Sequence, residues 1–318
     1  MRFFTVTSAI AVRTLHGARL SAASAVLMLA LVWSSVVPAA VSELPFGQGV
    51  LWKIELPSGD TQPSFLFGTV HSSDKRILKL PLEVRRAFAG ARSATFEIRT
   101  KGSDTARMSE FMQLPPDKTL DDFLSDEQMD LLRSAAEEDG INERVWQQTK
   151  PWALGLSLSL PQSERKRAQR GRKVLDFSLQ TRARDFGIPV YGLETLDEQL
   201  AVFDEMPVTL QIEYLELTLR SLDEREERFE SLLQDYLARD LDALHARMNE
   251  GLAEVSPESR ADFQDKLLDR RNFNMAERME ERLREGGAFV AVGALHLSGE
   301  KGVLNLLQSK GYRLTRVY

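Results

Sequence analysis

The apolar run Phe65-Leu66-Phe67 closes on Gly68-Thr69-Val70-His71. Near the other end of the chain, Phe289-Val290-Ala291-Val292 closes on Gly293-Ala294-Leu295-His296. Each run has the length and apolar content of a buried strand. Each glycine sits where the strand should stop, allowing a tight turn or a close backbone approach. Each histidine then follows just past the strand end, where open α/β sheets gather their ligands. The chain has four histidines. Two of them in matching contexts predict two halves of one site, with a metal as the natural occupant.

The order of the remaining elements limits how those halves can meet. Residues 50–56 and 64–70 read as strands joined by the turn residues Pro57-Ser58-Gly59-Asp60, which predicts a hairpin. A helix is predicted over 81–92 and a short strand over 94–98. From about Thr105 the chain is mostly helical, with a helix start at Ser125 and an apolar helix over 153–160 stopped by Pro161. A helix over 174–186 leads to a strand over 188–192, and Thr195-Leu196-Asp197-Glu198 has the form of a capping box. Long helices follow from Pro207 and over 257–285, the second ended by Gly286-Gly287. The second Gly-x-x-His run, a helix over 302–310 and a strand over 312–318 complete the chain. Strands at both ends around a helical middle predict an α/β fold. Its central mixed sheet is assembled from both chain ends, with a helical insertion over about 104–285 in one domain spanning 40–318.

Residues 1–39 read as a targeting segment. Arg2, Arg13, His16 and Arg19 precede an apolar stretch over 20–37, and Val37-Pro38-Ala39 offers small residues for cleavage. Either a cleaved signal peptide or a retained anchor fits, because the stretch approaches spanning length. The protein is expected to be exported, periplasmic or cell-envelope associated, with membrane association only through this segment. A net charge of −6 argues against a general nucleic-acid binder. The absence of cysteine leaves histidine, carboxylate and water as metal ligands.

Glu97 is the first carboxylate candidate. On its strand Ala94, Phe96 and Ile98 share one face, and Thr95 and Glu97 the other. A lone charge buried there would cost several kcal/mol, so Glu97 calls for a metal or an arginine unless its face is open to solvent. Glu194 ends a strand as the histidines do. Arg271 and Asn272 fall on or beside the apolar stripe of Leu268, Met275 and Met279, and polar groups there need partners. Glu198 is explained by the capping box, and His245 by surface or packing. Arg165, Lys166, Arg167, Arg170, Arg172 and Lys173 form a basic patch read as an exposed loop. There is no His-Glu-x-x-His, no phosphate-binding Gly-x-x-x-x-Gly-Lys, and no complete serine-hydrolase elbow at Gly155.

Seven patches in order now carry a resemblance. They are Leu51-Trp52-Lys53-Ile54; Leu66 to His71; Thr95-Phe96-Glu97-Ile98; Lys150-Pro151-Trp152; Gly192-Leu193-Glu194-Thr195 with Glu198-Gln199-Leu200; Arg271-Asn272; and Val292 to His296 with Gly311-Tyr312. Over residues 49–318 the chain resembles the TraB/GumN family, which is similar to the Tiki metalloproteases. The resemblance implies a fold like that of erythromycin esterase and the ChaN haem-binding proteins. It also implies a divalent metal, manganese or cobalt rather than zinc, held by His71, His296 and Glu97. Glu97, Glu194, Arg271 and Asn272 would be the catalytic set. In one departure, Asp176 of the family's Gly-hydrophobic-Asp segment is kept while the glycine is displaced to Gly171, beside the basic patch.

The expected function is that of an exported metal-dependent hydrolase, a Tiki-like peptidase acting on a peptide or protein substrate. The alternative is a non-catalytic protein on the same scaffold that sequesters a peptide, a signal molecule or haem. An esterase-like hydrolase is a third reading, by fold analogy alone.

Overall fold

Ala288–Gly293 is buried at every position, and this second apolar run takes a central place in the sheet. The computed structural model describes residues 44–318, so the segment read as an export signal lies outside the described residues. Among the described residues six strands form one sheet: β1 (Leu51–Glu55), β2 (Ser64–Thr69), β3 (Ser93–Ile98), β4 (Val190–Glu194), β5 (Ala288–Gly293) and β6 (Arg313–Arg316). Their spatial order is β4-β3-β5-β2-β1-β6. β1 and β2 form the expected antiparallel hairpin, and β6 pairs antiparallel with β1. β2, β5, β3 and β4 are mutually parallel. The sheet is therefore mixed and built from both chain ends, and the helical stretch returns β4 to it.

Central parallel strands are covered on both faces, and the sequence reflects this. β3 is buried at its first five positions, so the alternation of Thr95 and Glu97 with Ala94 and Phe96 separates two covered faces. Glu97 therefore does not face solvent. Phe67, Phe88 and Phe289 pack ring on ring within this core. Each large apolar side chain so buried contributes about 1.5–3 kcal/mol.

The helices up to β4 are α1 (Lys75–Leu78), α2 (Leu82–Ala89), α3 (Asp104–Phe111), α4 (Asp126–Glu138), α5 (Glu143–Gln147), α6 (Pro151–Ser159), α7 (Gln162–Gln169) and α8 (Leu175–Asp185). After β4 come α9 (Leu196–Asp204), α10 (Val208–Arg220), α11 (Arg225–Ala238), α12 (Leu241–Gly251), α13 (Pro257–Gln264), α14 (Arg270–Glu285) and α15 (Val303–Ser309). α6 is apolar nearly all round because it serves two cores. Trp152 and Leu156 join the core of the sheet, while Leu154 and Leu158 join a second cluster with Leu132, Trp146 and Leu215. The Lys150-Pro151-Trp152 patch is structural. Trp152 stacks on Phe203, and both Lys150 Nζ and Trp152 Nε1 donate to Asp204 of α9. Among the described residues no helix is long and apolar enough to cross a membrane.

Two expectations change. The single helix over 257–285 is α13 and α14 joined by a π-helical turn, Asp265–Asp269, which widens the helix just before Arg271. The basic patch is not a loop over most of its length. α7 covers Gln162–Gln169, and Arg165 is buried on the carboxylate of Asp139, which it shares with Arg225. That pairing satisfies a guanidinium whose pKa burial lowers. The exposed turn is confined to residues 170–173.

Candidate functional site

Parallel pairing sends the carboxyl ends of β2, β5, β3 and β4 to one edge of the sheet, the edge at which α/β folds bind ligands. In the β2–β5 register Gly68 faces Val292 and Thr69 faces Gly293. The two Gly-x-x-His turns therefore leave the sheet side by side. A Cβ on Gly68 would stand 3.1 Å from Cα of Ala294 and 3.0 Å from a Leu297 methyl, so this glycine permits the close approach of the two turns. β5 runs into a 3₁₀ turn, Ala294–His296, which buries His296. His71 is more open, with 11% of its side chain exposed.

Glu97 and Glu194 reach the same edge from the ends of β3 and β4, and both are buried. Arg271 joins them. Its Nη2 donates to Glu97 Oε2 at 3.0 Å and to Glu194 Oε2 at 2.8 Å, and its Nε donates to Glu194 Oε1 at 2.9 Å. Nη1 donates to the carbonyl of Leu267 in the π turn at 3.1 Å. The Gln199 amide donates to Glu97 at 2.8 Å and to Glu194 at 3.3 Å. The backbone N–H of Gly293 donates to Glu97 Oε1 at 2.6 Å. Burial pushes the Glu97 carboxyl above the usual glutamate range, against the opposing pull of Arg271. Burial works against the Arg271 charge too, but Glu194 and Glu97 outweigh it and hold the guanidinium protonated.

The two imidazoles share one arrangement. His296 Nδ1 lies 2.6 Å from Asn272 Oδ1, and the Asn272 amide donates to the carbonyl of Lys301 at 3.0 Å. That second bond turns the oxygen toward the ring, so Nδ1 carries the proton and Nε2 keeps its lone pair. Burial first, then Arg271, drives the His296 pKa well below the ordinary histidine value, so the ring is neutral. His71 Nδ1 lies 3.2 Å from Asp176 Oδ2, and His71 Nε2 is buried without a hydrogen-bond partner. Asp176 Oδ1 in turn accepts from Thr69 Oγ1 at 2.6 Å.

All the residues marked in the sequence thus reach one edge: His71, Glu97, Glu194, Arg271, Asn272 and His296. Glu198 is held apart by the capping box and by Arg278, as its spacing indicated. His245 is half-buried on α12, its pKa lowered by burial and its Nε2 without a partner. It belongs to the packing around the His296 turn rather than to the open surface. Gln199 and Asp176 were not marked as site residues. Gln199 lies in the first turns of a capped helix, where a polar residue is unremarkable. Asp176 drew notice only as the kept residue of the Gly-hydrophobic-Asp segment, and it is buried beside His71.

The donors can be tested against a divalent cation. Among the described residues no three His, Asp or Glu side chains stand close enough together to hold a metal ion. His296 Nε2 and Glu97 Oε1 lie 3.9 Å apart. Neighbouring donors on a cation with bonds of about 2.0–2.2 Å lie about 3.0–3.5 Å apart, so this pair would need a small closure to share one. The donor chemistry fits. Each ring turns Nδ1 to a side-chain oxygen and leaves Nε2 for a ligand bond, which is how metal-bound histidines are usually supported. Glu97 Oε1 retains a lone pair beyond its bond from Gly293.

The fold and this edge define an α/β protein with two oriented imidazoles beside a buried carboxylate–arginine cluster. The chain belongs to the TraB/PrgY/gumN family, which it matches over residues 50–316. It is similar to the uncharacterized protein YbaP of Shigella flexneri, at 25% identity over 258 residues covering 80% of this chain and 91% of that one. The uncharacterized protein YbaP of Escherichia coli K12 is 25% identical over 246 residues, covering 76% and 87%. No solved structure matches the chain.

Proposed function

We propose that the protein is an exported metal-dependent hydrolase, and that its substrate is a peptide or protein. The observation that carries this reading is an imbalance of charge. Glu97 and Glu194 share one cation, Arg271, so with both carboxylates ionised the buried cluster holds more negative charge than its own guanidinium balances, which burial resists by raising the Glu97 pKa. Neutral His296 does not make up the difference. A divalent cation on His71, His296 and Glu97 would, with manganese or cobalt the preferred occupant. Such a cation polarises a carbonyl and acidifies a bound water. Burial raises the proton affinity of Glu97, the direction a general base needs, and Oε1 is the oxygen turned toward His296, where it would either bind the cation or take a proton from the water beside it. Arg271 and Gln199 hold its other oxygen, and Glu194 keeps Arg271 charged and aimed. Asn272 keeps the His296 lone pair directed inward.

The same reading takes the scaffold to be of the erythromycin esterase and ChaN kind and the chemistry to be that of the Tiki proteases. The test is to strip the protein with chelator, reload it with manganese, cobalt or zinc, and quantify bound metal. His71→Ala and His296→Ala should lose metal while keeping the wild-type circular dichroism spectrum. A peptide library should be cleaved by the manganese- or cobalt-loaded protein and spared once chelator is added. Full metal stoichiometry in both variants would end the proposal. Peptide binding without cleavage would favour the sequestering alternative.

A further inference from the structure

We infer that Asp176, brought in by the helical middle of the chain, is a positioning residue that decides which ring nitrogen of His71 faces the site. The inference rests on the metal reading only for the use made of that nitrogen. His71 Nδ1 and Asp176 Oδ2 stand 3.2 Å apart, and among the described residues neither atom has another hydrogen-bond partner. They are within ion-pair range without full hydrogen-bond alignment. A carboxylate only accepts, so the nitrogen facing it carries the proton. The remaining nitrogen, Nε2, then keeps its lone pair, and it is the buried ring atom with no partner. A buried polar atom left unpaired calls for an explanation, and a site for a ligand supplies one.

The surroundings hold Asp176 to this task. Thr69, the last residue of β2, donates to Asp176 Oδ1 at 2.6 Å, so the carboxylate ties the end of the strand to the imidazole two residues beyond it. Asp176 lies in the first turn of α8, where the helix dipole favours an anion. α7 and α8 also grip the chain just after His71. Leu175 N–H donates to the Ser72 carbonyl at 3.1 Å. Glu164 accepts from both serine hydroxyls, Ser72 and Ser73, each at 2.5 Å, and from the Ser73 N–H. The first imidazole is thus set by a carboxylate on α8 and the second by an amide oxygen on α14, one device built twice from unrelated segments.

The tautomer of His71 can be read in metal-free protein. In long-range proton–nitrogen spectra of histidine-labelled protein, with signals assigned by their loss in His71→Gln, His71 should be protonated at Nδ1. Asp176→Leu should abolish that preference, and Asp176→Glu should restore part of it. In the same proteins Asp176→Leu should lower manganese or cobalt affinity by about 10–100-fold, the usual consequence of removing such a support. Circular dichroism identifies any variant that fails to fold, and the wild-type spectrum decides the matter even then. A wild-type His71 protonated at Nε2 would overturn the inference, as would a folded Asp176→Leu that keeps the wild-type tautomer. So would metal affinity within twofold of wild type in that variant. If the wild type takes up no metal, the hydrolase reading fails while the tautomer still decides the role of Asp176.

Discussion

Arg271→Met removes the cation that Glu97 and Glu194 share, and its consequence can be worked from the geometry. The guanidinium makes charge-assisted bonds to both carboxylates and is itself buried. Removing one partner of a buried ion pair costs about 3–5 kcal/mol, because the other charge is left uncompensated. Here two carboxylates lose their partner, which places the expected loss near the upper end, about 5 kcal/mol at pH 8. For a domain of this size each kcal/mol moves the melting midpoint by about 2–4 °C, so a fall of about 10–20 °C is expected. The loss should depend on pH. Unfolded glutamates ionise at about pH 4.3, and Glu97, already raised by burial, must ionise higher still once the lowering pull of Arg271 is gone. Between those values the folded variant binds more protons than the unfolded one, so its stability falls as pH rises. Urea unfolding at pH 5 and pH 8 measures both. A loss under about 1 kcal/mol at pH 8, or an equal loss at the two pH values, would refute the view that Arg271 neutralises the cluster.

Glu97→Gln removes a carboxylate whose proton affinity burial raises, and whose ionised form therefore costs stability above its folded pKa. The variant should melt higher than wild type at pH 8, the gap should narrow toward pH 4.5, and metal-dependent hydrolysis should vanish; a scanning melt and the peptide assay check the two halves. Gly68→Ala places a methyl 3.1 Å from Cα of Ala294, against backbone that cannot swing away. It should destabilise by about 1–3 kcal/mol and lower metal uptake by parting the two turns, measured by denaturant titration and metal quantification.

What the sequence disclosed depended on local signals. The β5 run was legible because strands covered on both faces are continuously apolar, and the two glycines and histidines repeated one local pattern. The helix start at Ser125 and the capping box at Thr195 were legible because the capping partners lie within one turn. Arg165, Gln199 and Asp176 were not, because each is explained by a partner far along the chain: Asp139, Glu97 and His71. A basic run looks alike whether a carboxylate from another helix meets it or water does. The π turn was hidden for a similar reason, since residues 257–285 keep a helical pattern through it and the extra residue per turn shows only in backbone bonding.

That turn bears on how the two halves of the site are joined. Adjacent residues on a regular helix point about 100° apart, so Arg271 and Asn272 would not ordinarily serve one edge equally. The π turn ends at Asp269, two residues before Arg271, and the Leu267 carbonyl within it accepts from Arg271. π-helical turns are found frequently at functional sites. Arg271 then reaches the carboxylates on β3 and β4, while Asn272 reaches the imidazole beyond β5. α14 lies against all three of those strands. One rigid helix therefore governs the charge of the acidic half and the tautomer of the imidazole half through neighbouring side chains. A shift of α14 that weakened one set of bonds would weaken the other as well, so the two halves form or fail together.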